Sequence, residues 1–338
     1  MPERLTLPGF VNAHSHAFQR ALRGSAGGGD FWTWREAMLD LARGQTPSQV
    51  RTSYEAVYRE MRAAGWTAVG EFHYLGFDEA AAAAEAARAA GVELVVLYAA
   101  YGRGGLARFR QESAADYLRQ VGRLAGDGIR VGLAPHSVRA CPRDWLEEIG
   151  RHAAEAGLVL HVHADEQPRE IEECLAEHGL RPIELLAEAG CLGPRTTVVH
   201  ATHADDRELD LLADTGARVC LCPTTEANLA DGFAPVERLL ERGIGICVGS
   251  DSNVRIDPLE ELRELDGIAR RQTLRRDLLS AGDLLCFGSD EGAAALGLED
   301  WPEVTVDPGH RSLAGIEESD VPCALVYGCA GDVLLADY

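Results

Sequence analysis

Four groups of residues in this chain have the types and spacing to hold an ion and activate water. The first is His14-Ser15-His16. In an extended segment, side chains two residues apart point to the same side, so these two imidazoles can converge on one ion. His161-Val162-His163 repeats the arrangement, His200 follows with His203 close behind, and Ser250-Asp251-Ser252 supplies a carboxylate. Taken singly, each has a plainer explanation: a histidine at a strand end packs or caps, and an aspartate just past a strand caps the next helix. Taken together, three histidine positions and Asp251 in order along the chain are hard to assign to independent structural roles. Imidazole nitrogen with carboxylate oxygen suits one divalent cation, Zn²⁺ above all, with Fe²⁺, Mn²⁺ and Ni²⁺ as alternatives. Zn²⁺ lowers the pKa of a bound water to roughly 7, so the chemistry expected is hydrolysis.

The elements that must position these groups are eight short apolar runs, at residues 7–13, 67–72, 92–98, 129–134, 158–163, 196–200, 218–222 and 245–249. Amphipathic or alanine-rich stretches at 78–90, 113–125, 143–156, 168–189, 205–214 and 235–242 separate the later runs, and 258–276 and 283–298 read as two more helices. The first connection, 14–65, reads as long and irregular before it turns helical. Apolar runs alternating with helices predict parallel strands with helical crossovers. Eight such units predict an α/β fold closed into a (β/α)8 TIM-like barrel, although a doubly wound open sheet also alternates in this way. Active sites of such barrels lie at the C-terminal ends of the strands. The first, fifth, sixth and eighth runs end on, or lead directly into, the four groups above. Residues 6–298 read as the catalytic barrel. Residues 299–338 read as a C-terminal tail with two short apolar pieces, 324–327 and 333–336. The glycine-rich stretch 24–29 lacks a Lys-Ser/Thr ending and is no phosphate-binding loop.

With 32 basic and 54 acidic residues, the chain carries a formal charge of −22. That acidity argues against nucleic acid or an anionic membrane surface as a partner. A small anionic substrate is compatible with it, because a few arginines reverse the field inside one pocket. Nine cysteines, with no Cys-x-x-Cys pair, read as reduced thiols of a cytoplasmic protein. Residues 1–5 do not resemble a signal peptide, and no apolar run reaches the roughly 18 residues of a membrane helix.

The motifs around these groups resemble the amidohydrolase superfamily and, within it, the formimidoylglutamate deiminases. The resemblance spans about residues 7–298. It rests on Asn12-Ala13-His14-Ser15-His16-Ala17-Phe18-Gln19-Arg20, Phe31-Trp32-Thr33-Trp34-Arg35-Glu36, Glu71-Phe72-His73-Tyr74, and Ala134-Pro135-His136-Ser137-Val138-Arg139. It continues through His161-Val162-His163 with Glu166-Gln167, His200-Ala201-Thr202-His203-Ala204, Thr225-Glu226-Ala227-Asn228-Leu229 and Gly249-Ser250-Asp251-Ser252. The resemblance implies one metal ion on His14, His16, His163 and Asp251, which selects His163 over His161. It implies catalytic roles for His200, Glu166 and Asp251, and substrate contacts from Gln19, Arg35, Tyr74, His136 and Arg139. It also implies that the loop carrying Arg35 reaches a neighbouring subunit's site, hence a homodimer.

The implied reaction is hydrolysis of N-formimino-L-glutamate to N-formyl-L-glutamate and ammonia, a step of histidine degradation. Asp251 and His200 would accept or steer the water's proton, and Glu166 would relay a proton to the leaving nitrogen. Two substrate carboxylates call for two cationic or strong-donor sites. Arg139 with His136 offers one, and Arg35 with Tyr74 the other, although Arg35 has Glu36 beside it as a structural ion-pair partner. Glu226 either lines the site or holds loops by hydrogen bonds, and His73 reads as structural. Relatives of this kind carry an accessory β-sandwich; here it is expected to be reduced or missing. Leu75-Gly76 and Asp165 also depart from the family pattern, and Asp165 is expected to alter the pocket's charge. Two alternatives stand beside this reading: an aminohydrolase for another amidine, guanidine or heterocycle, and a catalytically silent metal-binding barrel.

Overall fold

The computed structural model describes residues 5–25 and 27–335. Eight parallel strands follow one another in sequence order around the molecule: β2 (Phe10–Ser15), β3 (Trp66–His73), β4 (Glu93–Ala100), β5 (Val131–Pro135), β6 (Leu160–Ala164), β7 (Thr196–His200), β8 (Arg218–Leu221) and β9 (Ile246–Val248). They are preceded by β1 (Leu5–Pro8) and followed by β10 (Glu303–Val306) and β11 (Leu334–Leu335). The ring closes between its first and last members. Ser15 bridges Asp251, with His16 N–H donating to Asp251 O at 2.8 Å and Asp251 N–H donating to His14 O at 3.0 Å. The seam of the barrel is thus built from the backbone of three of the residues expected to bind metal.

Every expected strand is present, and β2 to β9 are almost wholly buried. That burial is what short β-branched and leucine-rich runs between helices require. The first run divides at Gly9. A Cβ there would lie 2.1 Å from Pro302 O, so only glycine lets the chain pass. Before it, Leu5–Pro8 pairs antiparallel with Glu303–Val306, and β10 pairs with β11. The result is a three-stranded sheet joining residues near both ends of the chain; among the described residues no further strand joins it. Ala336, the last residue of the apolar piece 333–336, lies outside the described residues, as do residues 1–4. The other piece, 324–327, is helical, within Val321–Gly328.

Several helices differ from the sequence expectation. The connection 14–65 holds two long helices, Phe31–Arg43 and Pro47–Ala63. The second begins with a capping box between Thr46 and Gln49. The stretch 168–189 breaks into Pro168–His178 and Pro182–Glu188, because Gly179 takes φ 69° and Pro182 has no amide to continue the ladder. The stretch 283–298 likewise divides into Ala281–Gly288 and Asp290–Leu296. The second of these carries the carbonyl of Ala295, which pairs with His161 Nε2 at 2.9 Å. No helix among the described residues is long and apolar enough to cross a membrane.

Candidate metal and active site

The side chains of His14, His16, His163 and Asp251 meet at the C-terminal mouth of the barrel. His14 Nε2 lies 3.2 Å from His16 Nε2 and 3.0 Å from His163 Nε2. Asp251 Oδ1 lies 3.5 Å from His14 Nε2 and 3.4 Å from His16 Nε2. Zinc ligands about 2.0–2.1 Å from a tetrahedral ion stand roughly 3.3–3.4 Å from one another, so these separations fit an ion held between the four. The register of β2 against β3 shifts between Asn12 and Ser15, an irregularity that places the paired histidines.

The surroundings prepare the nitrogens of His16 and His163 for a cation. His16 Nδ1 faces Phe72 O at 2.9 Å, and His163 Nδ1 faces His136 O at 3.0 Å. A carbonyl can only accept, so each Nδ1 carries the proton and each Nε2 presents its lone pair. Burial lowers all three imidazoles, His14 to about 3 and His163 well below its ordinary value, so they stand neutral. Burial would raise the Asp251 carboxyl, but contact with the His14 imidazole and the electrostatic attraction of the neighbouring His16 and His200 rings outweigh it. Asp251 is held at about 2 and stays ionised. Neutral nitrogens beside one carboxylate are a donor set for a divalent metal.

His200 and Glu166 flank this centre. His200 Nε2 is 3.6 Å from Glu166 Oε1 and 4.0 Å from Asp251 Oδ2, while its Nδ1 is 3.2 Å from Glu226 Oε1. Burial opposes the charged imidazole, but Glu166, Glu226 and Asp251 raise it to about 10. Burial pushes Glu166 up to about 7, against His200 and Arg139. The backbone here is strained: His200 (φ 74°), Ala201 (φ 50°) and Asp251 (φ 42°) all take the left-handed conformation without being glycine. Such conformations cost on the order of 1–3 kcal/mol each and persist where surrounding structure enforces them.

Above the centre a cleft opens. It is lined by Gln19, Arg35, Tyr74, His136 and Arg139, along with His16, His163, Glu166, His200 and Asp251. His14 is fully buried beneath them. Gln19 donates to Tyr74 Oη at 2.8 Å. Burial and Arg139 push His136 well below its ordinary value, so it serves as a neutral hydrogen-bonding group. Arg139 is braced by Glu170 Oε1 at 3.2 Å and Glu166 Oε2 at 3.9 Å. Arg35 lies 3.7 Å from Glu36, but Glu36 is 69% exposed, so that pair contributes little and the guanidinium still faces its own chain's cleft.

Other expectations resolve differently. Asp165 does not line the cleft. It is fully buried, 3.7 Å from Arg181 Nη2, with Glu208 nearby, so the pocket's charge is not set by it. His203 is turned to Asp231 O at 2.7 Å, and His73 bonds Gly76 O at 3.2 Å, the structural role expected for it. Tyr101, which the sequence did not mark, lines the cleft beside Trp32, and Arg169 stacks 4.3 Å above the Trp32 ring. Asp231 accepts a hydrogen bond from Gln167, and burial and Glu166 push its carboxyl up to about 9. The Asp-Gly step at 231–232 looks like an ordinary turn in sequence, and that hides it.

Glu71 forms part of the floor. It is fully buried and accepts from Ala17 N–H at 2.9 Å. Burial raises it to about 8 from 4.5. The folded chain therefore keeps this proton where the unfolded chain has lost it. The resulting stability is present below pH 4.5 and is lost on the way to pH 8, at about 1.4 kcal/mol per pH unit. Glu71→Gln does not titrate, so its stability relative to the unsubstituted protein should grow by up to about 2 kcal/mol between pH 5.5 and 7.5. Denaturant midpoints at the two pH values check this, and a pH-independent difference would contradict it.

The comparisons agree with this geometry. Residues 5–301 match the model of the amidohydrolase family. Formimidoylglutamate deiminase of Pseudomonas aeruginosa is 37% identical over 86% of this chain and 70% of its own length. A 5-methylthioadenosine/S-adenosylhomocysteine deaminase of Haloarcula marismortui is 30% identical over 98% of this chain and 82% of its own. Among solved structures, an amidohydrolase from Brucella melitensis superposes with a TM-score of 0.87 at 31% identity, covering 97% of this chain and 84% of that one. An adenosine deaminase from Xanthomonas campestris, solved with bound zinc, shares the fold at a TM-score of 0.89 and 24% identity, covering 98% and 78%. The chain is a barrel hydrolase of the kind that cleaves C–N bonds with loss of an amino group. It belongs to the amidohydrolase family.

Proposed function

We propose that this protein hydrolyses N-formimino-L-glutamate to N-formyl-L-glutamate and ammonia, with one Zn²⁺ held by His14, His16, His163 and Asp251. The observation that carries the reading is the presence of guanidinium groups, Arg139 and Arg35 among them, in the cleft that opens above the four-residue cluster. A dianionic amino-acid derivative needs both, and a neutral nucleoside needs neither. The similarity to the Pseudomonas aeruginosa enzyme supports the same substrate.

A bound divalent cation acidifies water and polarises the carbon under attack. The chain's own residues do the rest. Arg139 and Arg35 bind the two carboxylates, with Gln19, Tyr74 and His136 completing the walls. Asp251, ionised before the attack, accepts a proton from the attacking water. Glu166 passes a proton to the terminal nitrogen of the formimino group. His200 donates towards the oxygen that gains charge as the C–O bond forms. The proton taken by Asp251 completes the leaving ammonia. The C–N bond to the terminal nitrogen breaks with its electron pair going to that nitrogen, and the tetrahedral hydroxyl returns its proton to Glu166 as the formyl C=O forms.

The second reading is a purine-nucleoside deaminase, favoured by the aromatic residues Trp32, Trp34 and Tyr101 around the cleft and by the methylthioadenosine deaminases among its relatives. Ammonia release decides between them. Zinc-loaded protein should release ammonia from formiminoglutamate and not from methylthioadenosine, and the reverse result overturns the proposal. Arg35→Met should lower kcat/KM for formiminoglutamate about 10–100-fold, the size of a charged hydrogen bond, chiefly through KM. An unchanged KM would remove Arg35 from the substrate site.

A further inference from the structure

Two buried carboxylates that fasten loops in this protein, Glu261 and Glu208, use both oxygens. Glu261 accepts from Thr224 N–H at 3.0 Å on Oε2 and from the Thr224 hydroxyl at 2.5 Å on Oε1. Glu208 accepts from Arg181 Nε at 2.7 Å on Oε2 and from Ile183 N–H at 3.2 Å on Oε1. Glu226 is as deeply buried, yet its Oε2 has no partner. Its Oε1 does all the bonding, accepting from Cys222 N–H at 2.9 Å and meeting His200 Nδ1 at 3.2 Å. A buried polar atom left bare costs on the order of 1–3 kcal/mol, so a carboxylate kept in this state calls for a reason. The reason lies at His200, whose backbone is held in a strained conformation and whose other nitrogen faces Glu166 and Asp251.

We propose that Glu226 is the positioning residue of His200: its Oε1 accepts the Nδ1 proton, fixing the ring's rotation and turning Nε2 towards the reacting centre. This rests on the reading of His200 as a catalytic group. The Cys222 amide holds the carboxylate in place at the start of the helix Pro223–Leu229, so the rigid end of β8 transmits its position to the end of β7. Partners of this type orient imidazoles, and their loss commonly costs about 10–100-fold in activity.

The test uses the full metal-loaded chain. Glu226→Leu should lower kcat about 10–100-fold and leave KM nearly unchanged, while Glu226→Gln should recover most of the rate because its amide oxygen accepts the same two bonds. A purely structural loop-fastener would not produce that split. In parallel, ¹⁵N-histidine NMR, with the His200 signals identified by their disappearance in His200→Asn, should show Nδ1 protonated in the unsubstituted protein and in Glu226→Gln. In Glu226→Leu the Nδ1–H signal, released from its carboxylate, should shift or be lost to exchange with water. The NMR needs no substrate, so failure to hydrolyse formiminoglutamate would count against the proposed function and leave this test intact. Should Glu226→Leu not fold, Glu226→Asp takes its place, because its shorter side chain cannot span both partners. The proposal is overturned if the folded variant keeps an unchanged Nδ1–H signal and full turnover, or if Glu226→Gln is as impaired as Glu226→Leu.

Discussion

Glu166→Gln should reduce kcat about 10²–10⁴-fold, the usual contribution of a positioned acid–base group, while the protein still binds its metal. Glu166 is nine-tenths buried at the side-chain level, 3.6 Å from His200 Nε2 and 3.9 Å from Arg139 Nη2. Burial brings its carboxyl up to about 7, where it gives and takes protons with little penalty near neutral pH. Glutamine matches its shape and keeps an acceptor for Arg139, but it cannot carry a proton between water and the leaving nitrogen. Because Glu166 is not one of the four clustered ligand residues, metal content should be unchanged. Ammonia release and elemental analysis on the same sample measure both. A metal-replete Glu166→Gln protein with near-normal turnover would end the proton-transfer assignment.

Asp251→Asn should do the reverse, removing metal and activity together. Asp251 supplies the one negative charge among the four side chains, beside three imidazoles that burial keeps neutral. Asparagine preserves volume but offers no charge, so nothing at the centre offsets a dication. Metal catalysis of this type contributes several kcal/mol, and at 1.36 kcal/mol per factor of ten the expected loss of turnover is at least about 10³-fold. After dialysis against a chelator, the unsubstituted chain should retain about one ion and the variant close to none. Equal retention would mean that the four side chains are not the ligand set. The fold should survive, because the closure of the barrel at this point uses the backbone of Asp251 and not its carboxylate.

Much of this architecture is legible in one dimension because barrel chemistry collects at strand ends. Period-two spacing sends His14 and His16 to one side, and apolar runs of barrel length end on, or lead into, His14, His163, His200 and Asp251. The same logic brings Gln19, Tyr74, His136 and Arg139 to the cleft, since each follows a strand end by a few residues. Where the reading fails, the deciding partner is remote. The run at 7–13 looks like one strand, and only Val304 and its neighbours, nearly three hundred residues away, draw Leu5–Pro8 into a separate sheet.

Of the four candidate ligand residues singled out at the start, the residue types and their order come from the sequence alone. Their convergence is a tertiary matter. His161 and His163 share one alternation and cannot be told apart by spacing; depth in the barrel separates them, His161 meeting Ala295 O while His163 lies 3.0 Å from His14. Asp165 looks like a pocket carboxylate from its place beside Glu166, but its left-handed backbone turns it towards Arg181. Glu226 has two readings in sequence, as site residue or as loop fastener. Only the packing of β7 against β8 brings its Oε1 to His200, because contact across neighbouring strands depends on register, which no local pattern encodes.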